Sequence, residues 1–451
     1  MAISIITIPT AMAAIAILII GEEIVPLSPF EKITLFAMKY STFKTIMPFR
    51  SAKVTLFFLC TLISCKNNGQ TQGNTSVQNT EKQTKEVVVG ANRMYLYIKD
   101  LRAKNIAIVT NQTGIVKAEK GNYVHLVDTL LKKKVSISKV FAPEHGFRGE
   151  ADAGEVVKDG KDTKTGLPIV SLYGKNKKPT AEQLKGVDLV LFDLQDVGVR
   201  FYTYISTLHY VMEACAEQHI PVIVLDRPNP NAHYIDGAVL QPAFKSFIGM
   251  HPVPVVYGMT IGEYAQMING EKWLQVGVTA DLKVIPLAYY THQTSYSLPV
   301  KPSPNLPNDV SVNLYPSLCF FEGTNVSMGR GTDMQFQIYG SPYFDKTAFD
   351  FTPHPNAGDK NPKFNGELCY GEDLRKTPRL DKLNLTWLKK AFEQGKGVKT
   401  PFFTSSFNKI AGNDILKKQI SEGKTEDEIR QSWQKDIEQF KEMRKKYLLY
   451  P

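Results

Sequence analysis

Apolar residues fall in short runs that recur along the chain between polar, glycine- and proline-rich turns. NIAIVT (105–110), VSISKVFA (135–142), IVSLYG (169–174), VDLVLFDL (187–194) and PVIVLD (221–226) are short and largely β-branched, which predicts buried strands. VHLVDTLLKK (124–133), a short stretch around TAEQLKG with Thr180 as N-cap, and YISTLHYVMEACAEQ (204–218) carry helical spacing. Strands and helices alternating at this interval predict βαβ units and a parallel sheet covered on both faces. The expected fold class is therefore α/β: a Rossmann-like doubly wound domain over residues 88–250.

From about residue 251 the texture changes. Pro252, Pro254 and a helix ending near 269 precede LKVIPLAYY, a further strand, and then the loop-rich SPNLPNDVSVNLYP (303–316) and FFEGTNVSMGRGTDMQFQIYG (320–340). This predicts a smaller α+β C-terminal domain, 251–451, with the active-site cleft between the two domains. The chain ends in helical patterning: Thr425 is placed to cap a helix starting at Glu426. Ile415, Ile420, Ile429, Trp433, Ile437, Phe440 and Tyr447 are its expected buried stripe.

The first 87 residues read differently. Residues 1–65 form a leader, and MPFRSAKVTLFFLCTLISC (47–65) has the basic start, apolar run and Leu-Ile-Ser-Cys ending of a bacterial lipoprotein signal. Cleavage before Cys65 would leave that residue lipidated. Residues 66–87 are too polar to pack a core and predict a disordered tether. A second apolar run at 4–20 is barely long enough to cross a bilayer. Met47 begins a complete signal, so translation is expected to start there. A lipid anchor then places the protein in the periplasm or cell envelope.

Each strand hands over to a polar motif: Asn111-Gln112-Thr113-Gly114, Pro143-Glu144-His145-Gly146-Phe147-Arg148-Gly149, Gln195-Asp196 through Tyr202, and Arg227-Pro228-Asn229-Pro230-Asn231. In open parallel sheets ligands bind outside the carboxyl ends of the strands, where neighbouring loops converge. No G-x-G-x-x-G, Walker A or G-x-S-x-G motif accompanies these loops, which argues against dinucleotide, NTP and serine-hydrolase chemistry and against a sugar-nucleotide enzyme. No cofactor is implied.

Composition narrows the partners. The 451 residues carry a formal charge of +10, spread without a dense Lys/Arg run, so nucleic acid is not an expected partner. Cys215, Cys319 and Cys369 are scattered without metal or disulfide spacing and predict buried thiols.

Glu144, one residue past a proline at a strand end, is a general-acid candidate, the alternative being a salt bridge to Arg148. His145 has no second histidine at ligand spacing, which favours a substrate contact over a metal. Arg148, Arg227 and Arg330 lie beside Gly or Asp in loops, and Arg200 stands two residues after Gly198, which suits a carboxylate clamp or an ion pair. Of Asp193 and Asp196, one is expected to support the loop and the other to face the cleft; Asp226 braces the sheet edge. Tyr202 and Tyr204, with Phe147 and Phe201, offer a stacking wall or packing. Asn111, Asn229, Asn231 and Asn325 suit hydroxyl or acetamido groups. Carboxylates, amides, aromatics and arginines without a phosphate loop fit glycoside hydrolysis of an acidic sugar.

Seven motifs sharpen this. NQTG (111–114), PEHGFRG (143–149), FDLQDVGVRFYTY (192–204), LDRPNPN (225–231), SPNLP (303–307), YPSLCFFEGTNVSMGRGTD (315–333) and the terminal YLLYP together resemble the bacterial exo-β-N-acetylmuramidase family, glycoside hydrolase family 171. The resemblance spans about residues 90–451. It implies an exo-acting enzyme that releases N-acetylmuramic acid (MurNAc) from the non-reducing end of peptidoglycan fragments such as MurNAc–GlcNAc. By matching motif it puts the acid role on Glu144, with His145, Glu150 and Asp196 as partners. It puts substrate contacts on Asn111, Arg148, Tyr202, Arg227, Asn229, Glu322, Asn325 and Arg330. The lactyl carboxylate of MurNAc gives the arginines a ligand. A non-catalytic muropeptide-binding lipoprotein is the competing reading.

Overall fold

The computed structural model describes residues 17–20, 23–26, 85–148, 159–275 and 277–451. The chain divides into two units, 1–81 and 82–451. In the first, Ile17–Ile20 pairs antiparallel with Glu23–Pro26. The expected signal at 47–65 with Cys65, the tether up to residue 84, and Glu150 lie outside the described residues. Among the described residues no helix is long and apolar enough to cross a membrane.

The second unit is built on a seven-stranded sheet. In chain order its strands are β1 (Asn105–Thr110), β4 (Ser136–Ala142), β5 (Gly160–Lys161), β6 (Pro168–Ser171), β7 (Leu189–Asp193), β8 (Val222–Leu225) and β9 (Leu282–Ile285). Between β1 and β4 lies a small hairpin, β2 (Ile115–Lys117) with β3 (Tyr123–His125). The spatial order is β9-β8-β7-β1-β4-β6-β5; all neighbours are parallel except the edge strand β5. Growth starts at β1, proceeds outward to one side, then switches to the other, the doubly wound Rossmann arrangement.

Apolar side chains alternate across this sheet into two cores. Ile106 and Ile108 of β1, Leu189 and Leu191 of β7, and Ile223 and Leu225 of β8 enter one cluster. Ala107 and Val109, Val190 and Phe192, and Val222 and Val224 enter the other. Burial on both faces explains why these strands read as unbroken apolar runs. Removing a fully buried ring such as Phe192 would cost about 3–5 kcal/mol.

Helices α1 (Leu126–Lys132), α2 (Ala181–Leu184), α3 (Tyr204–Glu217) and α4 (Ile261–Gly270) complete the layers. Thr180 and Gln183 form the capping box of α2, as Thr260 and Glu263 do for α4. The sheet takes up α4 and β9 from beyond residue 250, the expected boundary. β9 pairs along its whole length with β8, so LKVIPLAYY completes the first domain rather than starting the second.

The C-terminal lobe has a three-stranded antiparallel sheet, β10 (Ile338–Ser341), β12 (Cys369–Asp373) and β11 (Asp350–Phe351), in that order. Around it lie α5 (Asp309–Leu318), α6 (Thr386–Gly395), α7 (Phe407–Ala411), α8 (Ile415–Ser421) and α9 (Glu426–Lys445). Thr425 caps α9 through a capping box with Glu428, and Ile429, Trp433, Ile437 and Phe440 are buried along it. Ile415 departs from the expected stripe: it opens the separate short helix α8 and is 45% exposed. Phe320, Phe407 and Trp433 share one continuous core with Val190 and Phe192, which welds the lobe to the sheet. The terminal Tyr450 donates to Asp226 Oδ2 at 2.6 Å, and Glu263 Oε1 accepts from Leu449 N at 2.8 Å.

Candidate active site

β4 delivers the chain to Pro143, and the backbone then turns sharply. His145 (φ 71°) and Gly146 (φ 74°) are consecutive left-handed residues, and Gly146 N donates to Pro143 O at 3.1 Å. A non-glycine residue held there stores of order 1–3 kcal/mol, a strain that recurs where geometry serves function. The turn points Glu144 and His145 into a cavity of about 320 Å³.

Several segments close around them. Tyr173 follows β6; Phe201, Tyr202 and Thr203 lead into α3; Ser303, Asn305 and Leu306 come from the loop before α5; Tyr315, Glu322, Arg330 and Phe336 come from the C-terminal lobe. Phe247 and Ile248 complete the wall. Sheet and lobe both contribute, so the site lies in the cleft between them.

Thr203 Oγ1 donates to Glu144 Oε2 at 2.8 Å. Tyr173 also hydrogen-bonds Glu144; burial first, then the Glu144 charge, pushes the Tyr173 phenol well above its usual range, so it stays a neutral donor. Arg330 Nη2 donates to Glu322 Oε1 at 2.8 Å, and its Nη1 lies 4.0 Å from Asp359. Burial alone would depress this guanidinium, but Glu322 and Asp359 outweigh it and hold Arg330 charged. Lys363 donates to the carbonyls of Phe321, Thr324 and Val326 and so fixes the turn that carries Glu322. Burial brings that ammonium down to about 8.

Of the expected site residues, Glu144, His145, Tyr202, Glu322 and Arg330 line this cavity. The others that can be placed do not. The crevice between the carboxyl ends of β1 and β7, where the winding switches, is filled by the protein's own side chains. Arg227 is buried there in a fork-to-fork pair with Asp193 (Nε–Oδ1 2.6 Å, Nη2–Oδ2 2.9 Å) and also donates to Ile115 O. Asn111 uses Nδ2 on Tyr204 (2.6 Å) and Oδ1 on Thr113, so it supports the tyrosine behind Tyr202. Asn229 spans Met259 O and Asn231 N, and Asn231 reaches Val197 O and Val312 O. These amides brace loops because buried backbone polar groups need partners.

Arg148 turns away from the cleft to Asp162, with bonds of 3.0 and 2.7 Å, and toward Asp128. Burial opposes ionisation of Asp162, yet the bonds from Arg148 and Thr165 hold it at about 2. The salt bridge to Glu144, the alternative to an acid role, is not formed: Arg148 pairs with Asp162 instead. Arg200 is wholly buried against the carbonyls of Ala238, Val253, Ile410 and Ala411, joining the sheet domain to α7. Asn325 donates to Thr400 O, inside the lobe. Asp196, also expected at the cleft, is buried behind it: Tyr257 and Gly198 N donate to Oδ2, and burial raises its carboxyl to about 6 against those bonds. Phe147 packs edge-on to His125, away from the cavity.

Residues 106–310 match the family described as exo-beta-N-acetylmuramidase NamZ, N-terminal, and residues 313–450 match its C-terminal counterpart. The chain belongs to the exo-β-N-acetylmuramidase family. A Bacillus subtilis protein, peptidoglycan beta-N-acetylmuramidase NamZ, is 40% identical over 375 residues, 78% of this chain and 89% of that one. Crystal structures of two DUF1343 family proteins from Bacteroides fragilis share the fold. One is 44% identical with a TM-score of 0.75, the other 25% identical with a TM-score of 0.69; each match covers 81% of this chain and 99% of the other.

As a member of the exo-β-N-acetylmuramidase family the protein is a glycoside hydrolase. The two family domains divide at 310/313, after β9 and within α5, which fits the extent of the sheet. The cavity holds what a glycosidase needs: two carboxyls, Glu144 and Glu322, aromatic walls and one charged guanidinium. Tyr173, Thr203, Phe247, Ser303 and Asn305 escaped sequence reasoning. Tyr173 stands just past the carboxyl end of β6, the same address that marked Glu144, and Ser303 and Asn305 lie inside the SPNLP motif; Phe247 carries no such signal.

Proposed function

We propose that the protein hydrolyses MurNAc from the non-reducing end of peptidoglycan fragments, MurNAc–GlcNAc being the simplest. One observation carries this reading: Glu144, on a strained turn at a strand end, shares a sugar-sized cavity with a charged arginine from the other lobe. Glu144 donates its proton to the glycosidic oxygen as the bond to the anomeric carbon breaks. Glu322 supplies negative charge to the oxocarbenium-like centre, and water provides the new hydroxyl while its other proton restores the Glu144 carboxyl. Arg330 is placed to take the lactyl carboxylate: Glu322 occupies Nη2, whereas Nη1 is beyond hydrogen-bond length from Asp359.

Release of the chromophore from a p-nitrophenyl β-MurNAc glycoside tests hydrolysis; binding without release would leave a muropeptide-binding protein instead. Glu144→Gln keeps the shape and removes the proton. Its kcat on MurNAc–GlcNAc should fall about 10²–10⁴-fold, and less on the nitrophenyl glycoside, whose leaving group needs little protonation. Equal losses on both would remove Glu144 from the acid role.

The lipoprotein-like stretch at 47–65 supports a lipid anchor at Cys65 and a place in the periplasm or cell envelope. Cys65→Ala should move the protein from the membrane fraction to the soluble one, and intact mass would reveal the lipid.

A further inference from the structure

The acid of a glycosidase stands at the bond being broken, so the two sugars lie on either side of it. If Glu144 is that acid and Arg330 anchors the acidic sugar, as proposed above, the C-terminal lobe marks the side of the released MurNAc. The rest of the cavity wall must then receive the leaving sugar. On the sheet-domain side that wall includes Tyr173, Phe247 and Ile248, beside His145 and the Phe201–Thr203 segment; of these three only Tyr173 touches the acid.

Its construction is tied to the acid. Tyr173 hydrogen-bonds Glu144, and its ring centroid is 6.4 Å from that of Phe247. Phe247 sits in a tight turn in which Ser246 and Gly249 exchange backbone hydrogen bonds of 2.9 and 3.1 Å. Ser206, in the first turn of α3, donates to Phe247 O at 2.7 Å, three residues after the Thr203 that holds Glu144. The Phe247 ring lies nearly parallel to Tyr210 (11°, centroids 6.2 Å), and the Lys177 ammonium stands 4.6 Å from its centre. An aromatic ring fixed on several sides at a polar cavity, beside an isoleucine, suits the apolar face of a pyranose.

We propose that Tyr173, Phe247 and Ile248 form the subsite for the leaving sugar, a β-linked hexosamine in the pyranose form. The subsite contributes affinity for the disaccharide that free MurNAc cannot reach.

Binding in the Glu144→Gln background tests this with turnover slowed: MurNAc released during the titration would count against the acid assignment, whereas the relative affinities report on the subsite. Calorimetry on the full chain compares MurNAc–GlcNAc with MurNAc alone. The disaccharide should bind more tightly, and Phe247→Ala should reduce its affinity about tenfold while leaving MurNAc affinity unchanged. Phe247→Leu, which keeps bulk but loses the ring, guards against a folding defect and should show a smaller loss in the same direction. Equal affinity for the two sugars, or an equal loss for both in the folded Phe247→Leu protein, would overturn the subsite.

Discussion

Thr203 holds the N-cap position of α3, yet its hydroxyl does not cap the helix; it donates to Glu144 at 2.8 Å. A cap hydroxyl ordinarily satisfies a helix N–H and contributes about 1 kcal/mol. Here that role is left open and the hydroxyl fixes the orientation of a carboxyl in the cleft. Thr203 is thus a positioning residue for Glu144.

Thr203→Val should therefore lower kcat on MurNAc–GlcNAc by about tenfold, roughly the worth of one hydrogen bond, with KM little changed. Thr203→Ser should restore most of it. A rise in KM with kcat intact would instead make Thr203 a substrate contact.

Arg330→Ala should raise KM for β-MurNAc glycosides by roughly 10–150-fold, the range of a charge-assisted contact. The same variant should act on the corresponding β-GlcNAc glycoside, which lacks the lactyl carboxylate, no worse than the parent does. The ratio of kcat/KM values for the two substrates is the measurement. An equal loss on both would assign Arg330 to supporting the loop.

Arg227→Met leaves the Asp193 carboxylate buried without its partner, at a cost of about 3–5 kcal/mol. Urea denaturation should show that loss. Asp193→Asn combined with Arg227→Met should recover part of it, because the stranded charge goes too. Normal stability with a raised KM would restore Arg227 to the ligand.

Asp196 makes stability depend on pH in a defined direction. Burial raises its folded pKa to about 6, above the usual carboxylate value, so the folded state favours the protonated form. Its contribution is fully present below the unfolded pKa and is lost as pH rises to about 6, a change of about 3 kcal/mol. Its surroundings include Tyr257, Tyr202, Tyr204 and Tyr264, all raised and therefore neutral in this range. Asp196→Asn should flatten the corresponding part of the Tm–pH curve between pH 4 and 6. An unchanged slope would show that Asp196 is ionised throughout.

Strand and helix identity was legible in the sequence because it depends on spacing. NIAIVT, VDLVLFDL and VIVL alternate side chains into two cores, and Thr425 caps a helix whose buried stripe runs at every third or fourth residue. A strand end also marked Glu144, since the polypeptide itself carries a side chain there to the rim of the sheet. By itself, then, the sequence determined the doubly wound layer, the family, and the candidate acid.

Which polar side chains face the cleft was decided only by the fold. Arg148, Arg227 and Arg330 all stand in glycine-, asparagine- or aspartate-bearing loops, and local chemistry cannot separate them. The first two meet Asp162 and Asp193, and the third meets Glu322 at the cavity. The same holds for Asn111 and Asn229, whose amides are used up by Tyr204 and Met259. A charge or amide is spent on whichever partner lies within about 3 Å, and for these side chains that partner stands anywhere from 8 to 93 residues away in the chain. The packing of β9 onto β8, with the lobe sharing the core of the sheet, brings Glu322 and Arg330 to Glu144.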